Sequence, residues 1–197
     1  MPSVKSRREE YAEATRRALL DAGADLFAER GYAATSIEDV VREARVTRGA
    51  LYHHFRSKQD LFEAVFEEVE LGIVEKVVAA VAAQADPWSQ ALAGIDAYLD
   101  LCLEPRTQEL ALRQAPIALG WARWREIEER HALGLIRAQV EALVDAGLIR
   151  RRSTGMLSGI LFGALIEAAL AIGAATDRPR ARREAGEILH TLTQALR

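Results

Sequence analysis

Thr35–Lys58, TSIEDVVREARVTRGALYHHFRSK, reads as two short helices separated by a tight turn. The first pattern runs from Ser36 to about Arg45, with Thr35 placed to cap it and Ile37, Val40, Val41 and Ala44 forming its apolar stripe. The second runs from about Arg48 to Phe55, capped by Thr47, with Ala50, Leu51, His54 and Phe55 on one face. Arg48, Gly49, Tyr52, His53 and Arg56 are left on the opposite, solvent face. A helix end that offers an arginine, a glycine for close approach, a tyrosine and a histidine, with almost no acidic group, suits the major groove of DNA.

The surrounding order extends this pattern from about Thr15 to Phe66: a first helix ending in FAERGY, then TSIEDVVREA, a turn, RGALYHHF and SKQDLF. In that order the chain resembles the TetR-type transcriptional regulators. The resemblance implies that the Tyr and His of the second helix, the Thr at the start of the first and the Lys opening the next helix touch DNA. Thr35, Ser36, Arg48, Gly49, Tyr52, His53, His54 and Lys58 are the DNA-contact candidates it assigns. One position departs from the family pattern, because the turn residue usually filled by glycine is Arg45. If the turn needs a positive φ there, arginine is strained by roughly 1 kcal/mol, or the turn is shaped differently.

The chain has 197 residues, half of them hydrophobic, which is enough for a substantial core in one domain or two small ones. Leu, Ala, Glu and Arg dominate, aromatics are few, and no alternating β-branched run marks a strand, so an all-α fold is expected. The net charge of -3 argues against a nonspecific polycation. Its distribution is uneven: Met1–Lys58 carries 11 Lys+Arg against 9 Asp+Glu, whereas Gln59–Arg197 carries 15 against 20. A weakly basic head on an acidic body fits a protein that addresses DNA by one face.

Cys102 is the single cysteine, so no intramolecular disulfide calls for an oxidising compartment. MPSVKSRREE lacks the apolar core of a signal peptide, and cytoplasmic residence without a membrane partner is expected. Met156–Ala175 is the nearest approach to a membrane span, but Glu167 and several glycines interrupt it, which favours a buried helix.

Met1 to about Arg8 is a polar arm with Lys5, Arg7 and Arg8, readable as a frayed terminus or as an arm on phosphate or minor groove. A first helix follows to Arg30, closed by Gly31. Ser57 and Asp60 make a capping box for a long helix from Lys58 to about Ala83. Asp86 and Pro87 restart the chain toward Glu104, and a short helix from about Arg106 to Gln114 should stop before Pro116. A long helix from Ile117 or Trp121 to Ala146 ends at Gly147, with Leu148 as its apolar latch. Arg150, Arg151 and Arg152 read as a solvated loop. Two further helices, Ser153–Ala175 and Pro179–Leu196, bring the count to about nine. The expected division is residues 1–58 as a three-helix DNA-binding head and 59–197 as a ligand-binding and dimerisation body.

Gly155, Gly159 and Gly163 recur at spacing four, followed by Ala164, Ala168, Ala171 and Ala175, a pattern that lets another helix approach closely, from the same subunit or a second one. Family resemblance implies that the last two helices pair with their copies in a homodimer. It also implies a small-molecule effector cavity in the body. Trp88, Tyr98, Cys102, Trp121, Trp124, Met156 and Phe162 are its candidate lining, each with core packing as the alternative. An enzymatic alternative counts two Glu-x-x-His pairs, Glu128/His131 and Glu187/His190, with Glu104 and Glu167 as further carboxylates of a di-iron bundle. Such pairs are also ordinary neighbours on a helix. No phosphate loop, paired cysteines or nucleophile motif is present, so no cofactor, metal site or catalytic residue is expected. The expected protein is a ligand-responsive regulator, a repressor, that binds a pseudo-palindromic double-stranded operator as a homodimer.

Overall fold

The computed structural model describes residues 7–151 and 153–197, so Met1–Ser6 of the basic arm and Arg152 lie outside the described residues. Ten α-helices follow one another: α1 Arg7–Arg30, α2 Ile37–Glu43, α3 Arg48–His54, α4 Lys58–Ala82, α5 Pro87–Leu101, α6 Ala115–Leu119, α7 Trp121–Arg130, α8 Ala132–Asp145, α9 Thr154–Ala174 and α10 Arg178–Gln194. A π-helix, Thr107–Gln114, joins α5 to α6. The chain is all-helical, as expected, and close to the expected count.

Helix ends follow the local chemistry. Thr47 Oγ1 accepts from Ala50 N at 3.1 Å, Ser57 Oγ from Asp60 N at 3.1 Å, and Asp86 Oδ1 from the backbone N–H groups of Trp88 and Ser89 at 3.0 Å each. Two details differ from expectation. The cap of α2 is Ser36, whose hydroxyl and Asp39 form a reciprocal capping box. Thr35 is buried, because its hydroxyl turns inward to the carbonyls of Gly31 and Leu26. At Ser57 the box is half made, since Asp60 Oδ2 accepts from Arg56 N at 2.9 Å rather than from Ser57.

Arg45 adopts φ 55, the conformation usually given to glycine. Its N–H reaches Arg42 O at 3.2 Å and Val46 N–H reaches Val41 O at 3.0 Å, the paired bonds of a Schellman ending. Gly147, at φ 68, closes α8 with the same two bonds, to Val144 O and Leu143 O. The helix-turn-helix turn is therefore the ordinary glycine turn with an arginine forced into it.

One core runs through head and body. Leu19, Leu20, Phe27, Val40, Leu51 and Phe55 pack on Leu61, Phe62, Val65 and Phe66 of α4, and the same cluster continues to Ile127, Leu133 and Phe162. Phe27, Tyr32 and Phe62 form an aromatic triangle with centroids 5.1 to 5.8 Å apart. Burial of each phenylalanine contributes roughly 1.5–3 kcal/mol.

The body departs from the pattern read in the sequence at three places. Pro116 does not stop the chain: it sits near the start of α6, after a π-helix in which Ala115 N–H pairs with Leu110 O five residues back. Wider winding keeps the proline ring off the carbonyls it would strike in an α-helix. The long helix ending near Ala146 is two helices, α7 and α8, broken at His131 (φ -113, ψ -93), and Gly120 (φ 79) parts α7 from the short α6 before it. Finally, α9 is not buried: 22% of its apolar window is covered, because one face packs on α8 and α10 while the other is open.

Candidate nucleic-acid interface and body cavity

Helix α3 lies across the head with Leu51 and Phe55 in the core and Arg48, Gly49, Tyr52 and His53 exposed. The alternation follows from seven helical residues that must bury a single leucine face. Arg48 Nη1 is 2.6 Å from Glu38 Oε1, its other nitrogen donates to the Tyr52 hydroxyl at 3.4 Å, and its guanidinium lies 5.5 Å from the Tyr52 ring centre. The surface is thus less free of acid than the helix sequence alone implies, since Glu38 reaches over from α2. The pair is exposed, where such ion pairs contribute little, so a nucleic acid can displace Glu38 at small cost.

Four assigned candidates have internal partners. Thr35 has no exposed side chain to offer. Ser36 is half-buried and its hydroxyl is engaged with Asp39. His54 is half-buried against Phe55; burial lowers its pKa, with further lowering by His53 and Arg16. Lys58 donates to Tyr32 O at 2.8 Å and Thr35 O at 2.9 Å and stands 4.3 Å from the Tyr32 ring centre. Two of its three ammonium protons therefore hold the α1–α2 connection. Arg45, Thr47 and Arg56 are exposed beside α3 and were not on the resemblance list; their position next to the turn was the available signal.

Behind the head, α4, α5, the π-helix, α7, α8, α9 and α10 enclose a cavity of about 120 Å³. Its walls are mostly aliphatic, with Val77, Val81, Ile136 and Leu165 among them. Of the candidate lining residues, Tyr98 and Phe162 stand in its wall. The other candidates do not. Trp88 packs on Val140, Leu143 and Ile149 under the guanidinium of Arg197. Cys102 is buried beside α9, and burial pushes its thiol up to about 12. Trp124 is core, packed at a tilt between Trp121 and Phe162, while Trp121 and Met156 are exposed.

Apart from Tyr98, sequence reasoning missed the polar groups of this cavity. Glu70 and Glu128 are 5% and 3% exposed and both line it, together with Tyr98, Thr107, Gln139 and Thr193. Burial raises the pKa of both carboxyls, and the proximity of Glu70 raises Glu128 further. Glu128 therefore faces the cavity, whereas Glu187 is exposed and His190 sits 3.2 Å from Asp96. Among the described residues no three His, Cys, Asp or Glu side chains meet in a metal-binding group.

The π-helix connects cavity and head. Thr107, Ala111 and Leu112 line the cavity, and Gln114 accepts from Tyr32 N at 2.6 Å and donates to Phe27 O at 2.8 Å. Helix α7 is tied to α4 by Arg123–Glu63 and Arg130–Glu67, and Gln59 donates to Ala118 O. On the far side of the body, Met156, Ile160, Leu170, Ile188 and Leu192 form an exposed apolar face on α9 and α10. Gly163 belongs to that face, whereas Gly159 is half-buried and turned toward Arg125 of the same chain.

A helix-turn-helix head joined by one continuous helix to an all-helical body is the architecture of a bacterial transcriptional regulator. Residues 19–65 match the family described as bacterial regulatory proteins, tetR family, and residues 88–196 the one described as tetracyclin repressor-like, C-terminal domain. The chain belongs to the TetR family of transcriptional regulators, which bind DNA and are not enzymes. A TetR-family transcriptional regulator from Pectobacterium atrosepticum is similar over 98% of this chain and 97% of its own, with 33% identity and a TM-score of 0.82. The transposon Tn10 TetC protein of Escherichia coli is 25% identical over 159 residues, 81% of this chain and 80% of that protein. The transcriptional regulator AcrR of Shigella flexneri is 42% identical over 64 residues, covering 32% of this chain and 30% of the relative.

Proposed function

We propose that this regulator is a homodimeric repressor released from a pseudo-palindromic operator by a small molecule bound in the body cavity. In this reading residues 1–58 are the DNA-binding head, and residues 59–197 form the body that binds the effector and the second subunit. Residence in the cytoplasm, where the operator lies, belongs to the same proposal. Arg48, Gly49, Tyr52 and His53 read the major groove, and Arg45, Thr47 and Arg56 lie where they can meet phosphates. Repressors among the relatives, such as those named KstR2 in Rhodococcus jostii and Mycolicibacterium smegmatis, support the sign of regulation.

The observation that carries the reading is the π-helix, which is cavity wall at Thr107 and Ala111 and head contact at Gln114. A ligand that binds one arrangement of this segment better than the other shifts the head with it. The open apolar face on α9 and α10 supports a two-fold partner made of the same face. Light scattering of the free protein and of its operator complex tests the dimer: two chains per duplex are expected, and one chain per duplex contradicts it. The coupling is tested by titrating a cavity-binding compound into the operator complex while following fluorescence anisotropy. Release is expected, and binding without any change in operator affinity contradicts it.

A further inference from the structure

The cavity is chemically lopsided. Glu70 of α4 and Glu128 of α7 are both more than nine-tenths buried and both line it, yet none of the described lining residues is Lys, Arg or His. Glu70 and Val81 sit eleven residues apart on α4, so the cavity extends roughly 16 Å along that helix. The acids, Tyr98 and Phe162 lie at the end nearer the head, and Val81, Leu143, Ile149 and Leu196 supply the aliphatic far end.

Two carboxyl groups placed together in an apolar wall are costly unless something compensates them. Burial raises the titration of both groups, and the charge of Glu70 raises Glu128 further. Arg125 offsets part of the rise at Glu128, but it does not line the cavity: it lies over the Phe162 ring at 4.9 Å and pairs with Glu129 at 3.7 Å. An anionic ligand would find no cation in the wall to answer it. A neutral hydrocarbon would fill the aliphatic end and add no counter-charge for the acids. A cation answers both carboxyls, and the aromatic rings of Tyr98 and Phe162 line the same cavity.

We propose that the effector is an amphiphilic organic cation, with its charged nitrogen between Glu70 and Glu128 and its hydrocarbon part along the cavity toward Val81 and Leu196. The proposal rests on the reading of this cavity as the effector site. Its headgroup would draw α7 toward α4, and these are the helices already joined to each other by Arg123–Glu63 just behind the head.

The test is calorimetric titration of the full chain at neutral pH with decylamine, decanol and decanoate, three probes with the same tail, kept below micelle-forming concentration. Decylamine should bind at least about tenfold tighter than decanol, with decanoate weakest. Glu70→Gln and Glu128→Gln should each lower decylamine affinity by about tenfold or more while leaving decanol nearly unchanged. Both variants remove a buried acid without changing shape, and thermal melts establish that they fold. The wild-type probe series stands independently of them. Decanol or decanoate binding as tightly as decylamine, or Gln variants that keep the decylamine affinity, overturns the cationic class while leaving the cavity as a ligand site. Failure of all three probes to bind overturns the cavity reading itself.

Discussion

Gln114 grips the head through Tyr32. Its side-chain carbonyl accepts the Tyr32 backbone N–H at 2.6 Å across 82 residues of sequence, while its amide donates to Phe27 O at 2.8 Å and to Glu109 Oε1 at 2.8 Å. One buried amide thereby satisfies backbone groups on both sides of Gly31, the residue that ends α1. The bond to Phe27 O is buried and the one from Tyr32 N–H part-buried, so the side chain is a structural joint between the cavity wall and the helix-turn-helix.

Gln114→Leu should cost about 1–3 kcal/mol of unfolding free energy, because it removes the partner of the part-buried Tyr32 N–H and leaves the Phe27 carbonyl with Gly31 N–H alone. Amide exchange at Tyr32 should accelerate, and operator affinity should become less sensitive to a bound cavity ligand. Denaturant melts and hydrogen exchange check the first effect, and anisotropy with and without ligand the second.

Lys58→Ala should act on the fold of the head more than on charge at the DNA. The ammonium serves two carbonyls and one ring face, so its loss should cost roughly 1.5–3 kcal/mol. The dependence of DNA affinity on salt should keep its slope while the melting temperature falls. A slope that flattens by about one unit per subunit, with stability unchanged, would return Lys58 to phosphate contact.

Arg45→Gly should stabilise the protein by about 0.5–1 kcal/mol, since φ 55 strains an arginine and suits a glycine. The same change removes an exposed cation beside α3. Nonspecific DNA affinity should therefore fall even as the urea midpoint rises, and both can be measured on one preparation.

Glu128 should make the protein less stable as pH rises. The folded state raises its carboxyl above the ordinary 4.5, chiefly by burial and then by the charge of Glu70. Between that ordinary value and the raised one the folded chain holds more protons than the unfolded chain, so stability falls with increasing pH through this window. Glu128→Gln should flatten the decline, with a gain on the order of 1 kcal/mol or more at the alkaline end. Urea midpoints at pH 5 and pH 8 check it. An unchanged slope would show that Glu128 does not titrate there.

Much of the architecture was legible in local chemistry. Thr47, Ser57 and Asp86 cap the helices they precede, and Gly31 and Gly147 end the helices they follow, because these signals act within a few residues. What was not legible depends on convergence of distant segments. Lys58 at a helix start looks like a phosphate ligand until the carbonyls of Tyr32 and Thr35 are seen beneath it. Aromatic residues such as Trp88, Trp121 and Trp124 seemed the natural cavity wall, yet Trp88 packs under Arg197, and on α7, between the breaks at Gly120 and His131, Trp121 is exposed and Trp124 joins the core, which leaves an aliphatic wall. Glu128 invited pairing with His131 along the helix; its actual neighbour across the cavity is Glu70, a relation without any sequence spacing.

The central claim, that the surface built on α3 reads a two-fold operator, is tested most directly by sequencing the fragments that the full-length protein retains from a random duplex library. The expected result is an enriched inverted repeat with half-site centres about one helical turn apart or somewhat more. Arg48→Ala should relax one symmetric pair of positions in it, at a cost of about 1–3 kcal/mol per lost guanine contact, without altering the melting temperature. Retention of DNA without any enriched sequence, or an enriched site without two-fold symmetry that Arg48→Ala leaves intact, would contradict it.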